Sequence, residues 1–328
     1  MTTSEVNHFD LIMPHLQPIE ALILDEEISE IMINPGGRVF VELEGSIRET
    51  DIVIEEENLG AAIRFIARLL GNDVSEDQQP LLDARLPDGS RVAATLAPIS
   101  VGGSSLNIRK FRHRHFSAEE LVRCEMLTEK QLYMLRNAVE QRETILISGG
   151  TGSGKTTLLN ALSEYIPRTE RIILIEDTAE ISLSVPNLVR LEARRELPGT
   201  KDQPGIPAVT IQQLLKHSLR MRPDRIIVGE VRGAEAFDLL QALNTGHQGT
   251  LSTIHANSAR LAGTRLRDCV QMAGHGIPPA SISSSIAAAI DWLVHIERRA
   301  SKRYVKEMFS VNGYDAAKDA YELVKCNA

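Results

Sequence analysis

The sequence of 328 residues has few cysteines, no long apolar run and almost no basic residues in its first part. Its three cysteines, Cys124, Cys269 and Cys326, lie far apart and form no Cys-x-x-Cys pair, which excludes a disulfide framework and a zinc ribbon. No stretch approaches the roughly 18 uncharged apolar residues that a spanning helix needs, and the N-terminal residues do not resemble a signal peptide. We therefore expect a cytoplasmic protein without a transmembrane segment.

Acidic side chains outnumber basic ones, most strongly near the N-terminus. The net charge is -8, and the first 60 residues contain 2 basic and 14 acidic side chains. Such a surface repels DNA and anionic lipid. A basic cluster at residues 109–115, with phenylalanines interleaved, could bind nucleic acid or lipid, but it is too short to outweigh the acidic surroundings. Direct binding of nucleic acid is therefore not expected.

The first part of the chain has the pattern of an α/β domain. Apolar runs at 31–33 and 39–41 flank the turn-forming residues 34–37, which predicts a hairpin. In residues 56–70, apolar side chains recur every three or four positions, which predicts a helix with one buried face.

Two domains are expected for a chain of this length. Ser117 and Glu120 have the spacing of a capping box, so a helix should begin near the point where the basic cluster ends. We predict an N-terminal α/β domain at residues 1–116, a linker at 117–123 and a second domain at 124–328.

The second domain alternates apolar, strand-like runs with helical patterns. This alternation predicts a largely parallel sheet covered by helices on both faces. The strongest strand patterns lie at residues 144–148, 171–176, 225–228 and 250–254.

A glycine-rich segment between the strand at 144–148 and a helical pattern at 156–165 has the form of a phosphate-binding loop. Without Cβ atoms, its glycines let backbone N–H groups converge on phosphate oxygens at the positive end of a helix. Lys155 would neutralise phosphate charge and Thr156 would hold Mg²⁺. The expected ligands are ATP and Mg²⁺, and the candidate nucleotide-binding residues are Gly149, Gly150, Thr151, Gly152, Ser153, Gly154, Lys155, Thr156 and Thr157.

Carboxylates follow two of the predicted strands directly. Glu176 ends the run at 171–176, and Glu230 follows the run at 225–228. In α/β proteins the ends of parallel strands bind ligands, whereas a carboxylate in that place is otherwise an ordinary solvated strand end. We expect Glu176 to act as the general base and Glu230 to assist Mg²⁺ through water, with Glu180 structural; the division of roles between the two glutamates stays open.

Four sequence boxes in this order resemble the signature of the secretion ATPase superfamily of type II and type IV systems. They read GGTGSGKTT from Gly149, IEDTAE from Ile175, VGEVRG from Val228 and GHQGTLSTIHAN from Gly246. The resemblance extends upstream to residues 83–91 and 107–111. It implies an N-terminal PAS-like α/β domain, a C-terminal RecA-like P-loop NTPase domain with a mainly parallel sheet, a homohexameric ring, and nucleotide bound between the two domains.

The C-terminal residues 290–298 and 311–314 look most like conjugative-transfer ATPases of the TrbB kind. A tetracysteine zinc module, usual in the type II branch, is absent from the sequence, and so is the Ala-Ile-Arg-Asn-Leu-Ile-Arg helix of retraction ATPases. ATPases of Tad pili remain a close alternative.

The resemblance also assigns roles to one histidine and to upstream arginines. His255 follows the strand at 250–254, and the family gives its box a γ-phosphate sensing role, although a lone histidine is more often structural. Arg85, Arg91 and Arg109 would ordinarily be surface charges, yet γ-phosphoryl transfer needs positive partners besides lysine and metal. We expect the first domain to supply these arginines, with Arg91 and Arg109 taking part in catalysis.

The sequence thus predicts a hexameric, Mg²⁺-dependent ATPase of a conjugation-type secretion machine, powering pilus assembly or substrate transfer. We expect it peripherally at the inner membrane, held by membrane components of that machine. Alternatives are an ATPase of Tad or type IV pilus assembly or of type II secretion, a nucleic-acid translocase, and a nucleotide-gated scaffold. Stimulation of turnover by single-stranded DNA would favour the translocase, and ATP binding without turnover would favour the scaffold.

Overall fold

The computed structural model describes residues 16–43, 45–86, 88–110, 116–194, 196, 205–299 and 302–326. The chain divides into two compact units, Met1–Arg114 and His115–Ala328, and each has its own sheet. The α/β class expected from the sequence is confirmed. Most of the basic cluster, residues 111–115, lies outside the described residues. No helix in the described part of the chain is long and apolar enough to cross a membrane.

The first unit contains an antiparallel sheet of six strands in the order β3-β2-β1-β6-β5-β4. After a single 3₁₀ turn, its elements are α1 (Glu20–Leu24), β1 (Ile28–Ile33), β2 (Arg38–Leu43), β3 (Ser46–Val53), α2 (Glu56–Leu69), β4 (Leu81–Arg85), β5 (Arg91–Thr95) and β6 (Ser105–Arg109).

The predicted hairpin and the predicted helix of this unit are both confirmed. β1 pairs with β2 across a tight turn in which Gly37 N donates to Asn34 O at 3.0 Å. In α2, Leu59, Ile63 and Ile66 of the predicted face are buried in the core of the unit, whereas Leu70 at the end of the predicted range is the half-buried C-cap residue. The amphipathic spacing is sufficient to choose this face because burial of its apolar side chains stabilises the helix on the sheet.

The second unit is built on a sheet of eight strands in the order β14-β13-β12-β7-β11-β10-β8-β9. The six strands from β12 to β9 in this order are parallel, and β13 and β14 are added antiparallel. The four strongest strand predictions are therefore confirmed. The strands are β7 (Ile145–Gly149), β8 (Ile172–Glu176), β9 (Leu188–Glu192), β10 (Arg225–Val231), β11 (Leu251–Ile254), β12 (Trp292–Arg299), β13 (Lys302–Asp315) and β14 (Ala320–Lys325).

Helices cover both faces of this sheet. Successive residues of β7 point to opposite faces, so that Ile145 and Ile147 join one buried cluster and Leu146 the other. The first cluster holds the helices α3 to α5, and the second holds α6 to α9. These helices are α3 (Ala118–Arg123), α4 (Glu129–Glu140), α5 (Lys155–Ser163), α6 (Ile211–Ser218), α7 (Glu235–Asn244), α8 (Ala259–Gln271) and α9 (Pro279–Ala289).

The segment 117–123, predicted as a linker, is helical and belongs to the second unit. The capping box is present: Ser117 Oγ accepts from Glu120 N at 3.2 Å, and Glu120 Oε2 accepts from Ser117 N at 2.8 Å. Ala118 and Leu121 of α3 are buried in the same cluster as the sheet. Burial of these two side chains, which the capping pattern alone does not predict, fixes the segment to the second unit.

A buried ion pair ties together the N-terminal ends of the strands in the second unit. Arg225, fully buried at the start of β10, donates to both carboxylate oxygens of Glu170, at 3.0 and 3.3 Å. Its remaining donors reach Val139 O and Gly249 O. Gly249 has φ +85°, and a Cβ there would lie 3.1 Å from Arg142 and 3.2 Å from Arg225. The turn into β11 is therefore shaped around this guanidinium.

Replacing Glu170 by glutamine should destabilise the protein by about 3 kcal/mol, because the buried Arg225 loses its counter-charge while the volume is kept. Urea unfolding followed by the fluorescence of Trp292, the single tryptophan, measures the loss. Glu140→Gln is the matched control, since Glu140 forms an exposed pair with Arg136 that is worth about 0.5 kcal/mol or less. Equal effects of both changes would contradict the role given to Arg225.

Candidate functional site

The candidate site lies where the parallel strands of the second unit end. β11 separates β7 from β10, and β8 follows β10 on the far side. Because parallel strands point the same way, the loops that follow them gather at one edge of the sheet. This edge carries the glycine-rich loop after β7, Glu230 near the end of β10, His255 after β11 and Glu176 at the end of β8.

The glycine-rich segment connects β7 directly to α5, as its motif predicts. Gly154 is the N-cap of α5 with φ +100°, a left-handed conformation that favours glycine. A Cβ on Gly149 would lie 2.5 Å from Ser153 Oγ and 2.6 Å from Ile296 O. Both glycines are therefore required by the backbone path, and the path ends at the positive end of a helix, where anions bind.

Lys155 is folded back against this loop. Its Nζ donates to Gly149 O at 3.1 Å and to Gly150 O at 2.9 Å, and the residue is buried. Burial lowers the pKa of Lys155, an effect that the charge of Glu230 partly offsets. The ammonium is thus placed inside the loop, where phosphate oxygens would be stronger partners than neutral carbonyls.

Glu230 lies at the centre of the charged groups. Its Oε2 accepts from Arg232 at 2.9 Å, and its Oε1 lies 3.0 Å from His255 Nε2. Oε1 accepts no well-aligned hydrogen bond from the described residues, so its contact with His255 is close but poorly directed. Burial alone would raise the pKa of Glu230, but the hydrogen bond from Arg232 and the nearby cationic groups outweigh it and hold this pKa below its usual value.

His255 is partly exposed. It follows β11, which lies between β10, the strand of Glu230, and β7, the strand before the glycine-rich loop. Burial and the charge of Lys155 lower the pKa of His255 despite the neighbouring carboxylate. The shift favours the neutral imidazole, which can both donate and accept a hydrogen bond.

The structure assigns Glu176 contacts that the sequence did not indicate. Its carboxylate is buried, and Oε1 accepts from the backbone N–H groups of Glu180 and Ile181, both at 2.7 Å. Arg190 approaches the other oxygen at 3.5 Å. Burial raises the pKa of Glu176, with these hydrogen bonds acting in the opposite direction. The contacts hold the turn after β8 in place, and the general-base role of Glu176 stays a prediction.

Glu180, predicted to be structural, lies nearer to the charged centre. Its charge raises the pKa of Lys155 and also that of Arg232, in each case as a minor contribution. Asp177 of the same turn approaches Arg232 at 3.5 Å. The sequence signal for these two carboxylates was their spacing of four residues. This spacing does not reveal which of the two accepts the backbone hydrogen bonds of the turn.

The three arginines of the first unit lie in one row across its sheet. Arg85 is opposite Arg91, and Arg91 is opposite Arg109, on three adjacent strands. Directly opposite residues share a face, and here the neighbouring Val92 and Ile108 occupy the buried face instead. Glu30 of β1 continues the row beside Arg109. The register thus gathers three cations that are separated by up to 24 positions in the sequence.

The residues at the edge of the second sheet fit a nucleotide-bound Mg²⁺. Mg²⁺ takes most of its ligands from phosphate and water and needs few from protein. Among the described residues, no cluster of three or more histidine, cysteine or acidic side chains could hold a metal by itself. The half-buried Thr156, in the first turn of α5 with Thr157, and the carboxylate of Glu230 are the groups that could complete such a site.

Comparison with known proteins gives matches over most of the chain. The model of the "Type II/IV secretion system protein" family matches residues 13–326. The conjugal transfer protein TrbB of Rhizobium radiobacter is 36% identical over 293 residues, which cover 88% of this chain and 85% of that protein. The type IV secretion system protein PtlH of Bordetella pertussis is 36% identical over 330 residues, with coverage of 92% and 96%.

Solved structures share the fold at lower identity. The ATPase DotB of Legionella pneumophila matches with a TM-score of 0.60 at 21% identity, covering 93% of this chain and 81% of that one. The pilus retraction motor PilT with bound ADP matches with a TM-score of 0.59 at 20% identity, covering 97% and 83%. The family match and the full-length relatives agree with the four boxes at the strand ends, and the chain belongs to the type II/IV secretion system protein family.

Proposed function

We propose that this chain is the ATP-hydrolysing motor subunit of a type IV secretion system of the conjugation type. The observation that carries the proposal is the grouping of Lys155, Glu230 and His255 at one sheet edge, next to a complete phosphate-binding loop. Membership of the family and the full-length similarity to the conjugal transfer protein TrbB and to PtlH support the choice of system.

Binding would begin with the phosphates entering the glycine-rich loop. Lys155 exchanges its two carbonyl partners for phosphate oxygens, because a charged acceptor makes the stronger hydrogen bond. The N-terminus of α5 adds the backbone N–H groups and the positive end of its dipole. Thr156 and Glu230 orient Mg²⁺, directly or through water, and the ion neutralises charge that develops on the β- and γ-phosphates.

Hydrolysis also needs a carboxylate that can accept a proton from the attacking water. We assign this role to Glu180. Glu176 is occupied by two short backbone hydrogen bonds, and Glu230 is held by Arg232 with a lowered pKa. Glu180 is half-buried, follows the turn that Glu176 stabilises, and is near enough to Lys155 to influence its pKa.

The γ-phosphate would then interact with two sets of side chains, His255 and the arginines of the first unit. His255, neutral and next to Glu230, can report the presence of the γ-phosphate to the carboxylate that orients Mg²⁺. Arg85, Arg91 and Arg109 of the first unit would supply further positive charge to the nucleotide. Their common row allows the three guanidinium groups to act on one anion. A ligand held by both units pulls them together, and loss of the γ-phosphate releases them.

Further parts of the proposal concern assembly and location. We propose a homohexamer that docks on inner-membrane components of its secretion machine from the cytoplasmic side. The acidic first 60 residues favour docking to a protein partner over direct contact with anionic lipid. Turnover in each subunit would power pilus assembly or transfer of substrate.

Lys155→Ala should abolish ATP binding and turnover, because the loop loses the only cation that it places on the phosphates itself. Isothermal titration calorimetry and phosphate release measure the two effects. Chelation of Mg²⁺ with EDTA should stop turnover of the unchanged protein. Lys216→Ala is the control, since Lys216 is an exposed residue of α6 whose partner is Asp238 of α7, on the face of the sheet opposite α5. Turnover that survives Lys155→Ala would rule out the loop as the ATP site.

Glu180→Gln should lower kcat by about a hundredfold or more, the usual cost of removing a general base, while ATP affinity stays close to that of the unchanged protein. Glu176→Gln should retain much more turnover but lower the unfolding temperature, because its carboxylate serves the turn. Single-turnover phosphate release and thermal unfolding separate the two effects. The assignment fails if Glu176→Gln is the slower enzyme while remaining as stable as the unchanged protein.

Arg91→Ala and Arg109→Ala should weaken binding of a nonhydrolysable ATP analogue about tenfold or more while leaving ADP affinity nearly unchanged, since each removes a charge-assisted contact to the γ-phosphate. Titration of both nucleotides into each variant gives the ratio. Arg48→Ala serves as the control, because Arg48 is an exposed arginine on β3 of the same sheet. An equal loss of ADP and ATP-analogue binding would exclude contact with the γ-phosphate.

A further inference from the structure

Near its end, β10 carries one more residue than the strand beside it. Between two regular pairs, two residues of β10, Gly229 and Glu230, lie opposite a single residue of β11, Thr253. Such an insertion is a β-bulge, a feature that re-aims side chains and occurs often beside active sites. The regular pairs on either side of it are Val228 with Ser252 and Val231 with Ile254.

The extra residue decides which face of the sheet receives Glu230. Ile226 and Val228 belong to the buried cluster that holds α6 to α9, and regular alternation would place Glu230 on the same face. Instead, Val231 is the residue that joins this cluster. A carboxylate is costly to bury among apolar side chains. The bulge avoids that cost, and Glu230 lies where its charge acts on Lys155 of α5.

Gly229 suits the bulge because it has no side chain. A Cβ there would lie 3.1 Å from Glu176 Cγ and 3.4 Å from Ile181 Cδ1. Ile181 belongs to the buried cluster of α3 to α5, so the first bulged residue is on the same face as the phosphate-binding helix. The close approach of β10 to the turn after β8 therefore favours glycine at this position.

Thr253 is hydrogen-bonded to the bulge through its side chain. Its Oγ1 donates to Gly229 O at 2.7 Å, and the residue is buried. One residue earlier, Ser252 Oγ donates to Val228 O at 2.8 Å, where the pairing of the strands is regular. Two hydroxyl groups of β11 thus bind successive carbonyl groups of β10, and that of Thr253 binds within the bulge.

We propose that the bulge sets the position of the Glu230 carboxylate and that Thr253 is the positioning residue that holds the bulge. The inference rests on the role in Mg²⁺ binding proposed above for Glu230. His255, two residues after Thr253, lies 3.0 Å from Glu230 Oε1 through its Nε2. β11 therefore fixes both groups, the imidazole directly and the carboxylate through the bulge. Without the hydroxyl group, the Gly229 carbonyl is released and the residue that follows it shifts.

Thr253→Val tests the inference, because valine keeps the branched shape and removes the hydroxyl group. A nonhydrolysable ATP analogue is titrated in Mg²⁺ and in EDTA, and the Kd in EDTA divided by the Kd in Mg²⁺ gives the Mg²⁺-dependent gain in affinity. Thr253→Val should lower this gain about three- to tenfold, as expected for the loss of about one hydrogen bond. It should also lower kcat with little change in KM. Thr253→Ser keeps the hydroxyl group and should restore both quantities.

Ser252→Ala is the matched control, because it removes the neighbouring hydroxyl group outside the bulge. It should keep the gain in affinity and the kcat of the unchanged protein. Thr253→Ala, which adds no methyl group against Gly229 O, takes the place of Thr253→Val if the valine variant does not fold.

Crystal structures without nucleotide test the position of the carboxylate directly. The contact between Glu230 and His255 should be present in the unchanged protein and in Ser252→Ala and lost in Thr253→Val. The inference is overturned if Thr253→Val keeps this contact and the full gain in affinity, or if Ser252→Ala lowers the gain as much. If the unchanged protein does not bind the analogue, nucleotide binding at the loop is refuted, and the crystal structures still decide whether Thr253 positions Glu230.

Discussion

The parallel pairing of β12, β7, β11, β10 and β8 is the constraint on which the site depends. Hydrogen bonding keeps neighbouring strands about 4.8 Å apart, so the groups that follow them are placed within a few strand widths of each other. β7, β8 and β11 are buried along their whole length, which leaves their ends as the places where polar groups can collect. The groups of the candidate site therefore need no special folding of their own beyond the turns that end these strands.

The charged groups at this edge of the sheet are balanced by one another and by backbone partners. Lys155 is buried, but two carbonyl oxygens accept its hydrogen bonds and the negative charge of Glu230 favours its charged form. Glu230 in turn accepts a hydrogen bond from Arg232. A buried charge without such partners would cost several kcal/mol. Phosphate oxygens could replace the carbonyl partners of Lys155, because a charged acceptor makes the stronger hydrogen bond. The same side chains thus suit a highly charged ligand.

Sequence reasoning predicted what depends on local pattern. The phosphate loop, the strands beside it and the helix of the first unit follow from glycine positions and apolar spacing, and they stand where predicted. The choice between Glu176 and Glu180 depends on which carboxylate the turn after β8 uses for its own N–H groups, and spacing cannot reveal that. The helix at Ala118–Arg123 was foreseen as a capping pattern but assigned to a linker, because its burial against distant residues leaves no local signal.

The arginine row arises from register, which only the folded sheet supplies. A one-residue slip of β5 would turn Arg91 to the opposite face. The alternation of buried and exposed residues along β5 and β6 opposes such a slip, because it would expose Val92 and Ile108.

The glycine-rich loop lies next to β13 and to the segment around Met126, both outside the candidate site. Arg303 Nε donates to Gly152 O at 2.9 Å. A Cβ placed on Gly154 would lie 3.0 Å from the side chain of Met126. Met126 O in turn accepts from Val305 N at the start of the β13 pairing. The loop is thus packed against β13 and against the segment that follows α3, the first helix after the boundary between the units. If phosphate rearranges the loop, the hydrogen bond from Arg303 to Gly152 O is the contact through which the change would reach β13. The glycines of the loop are thus joined physically to the strand beyond the site, because the donor belongs to β13 and the acceptor to the loop.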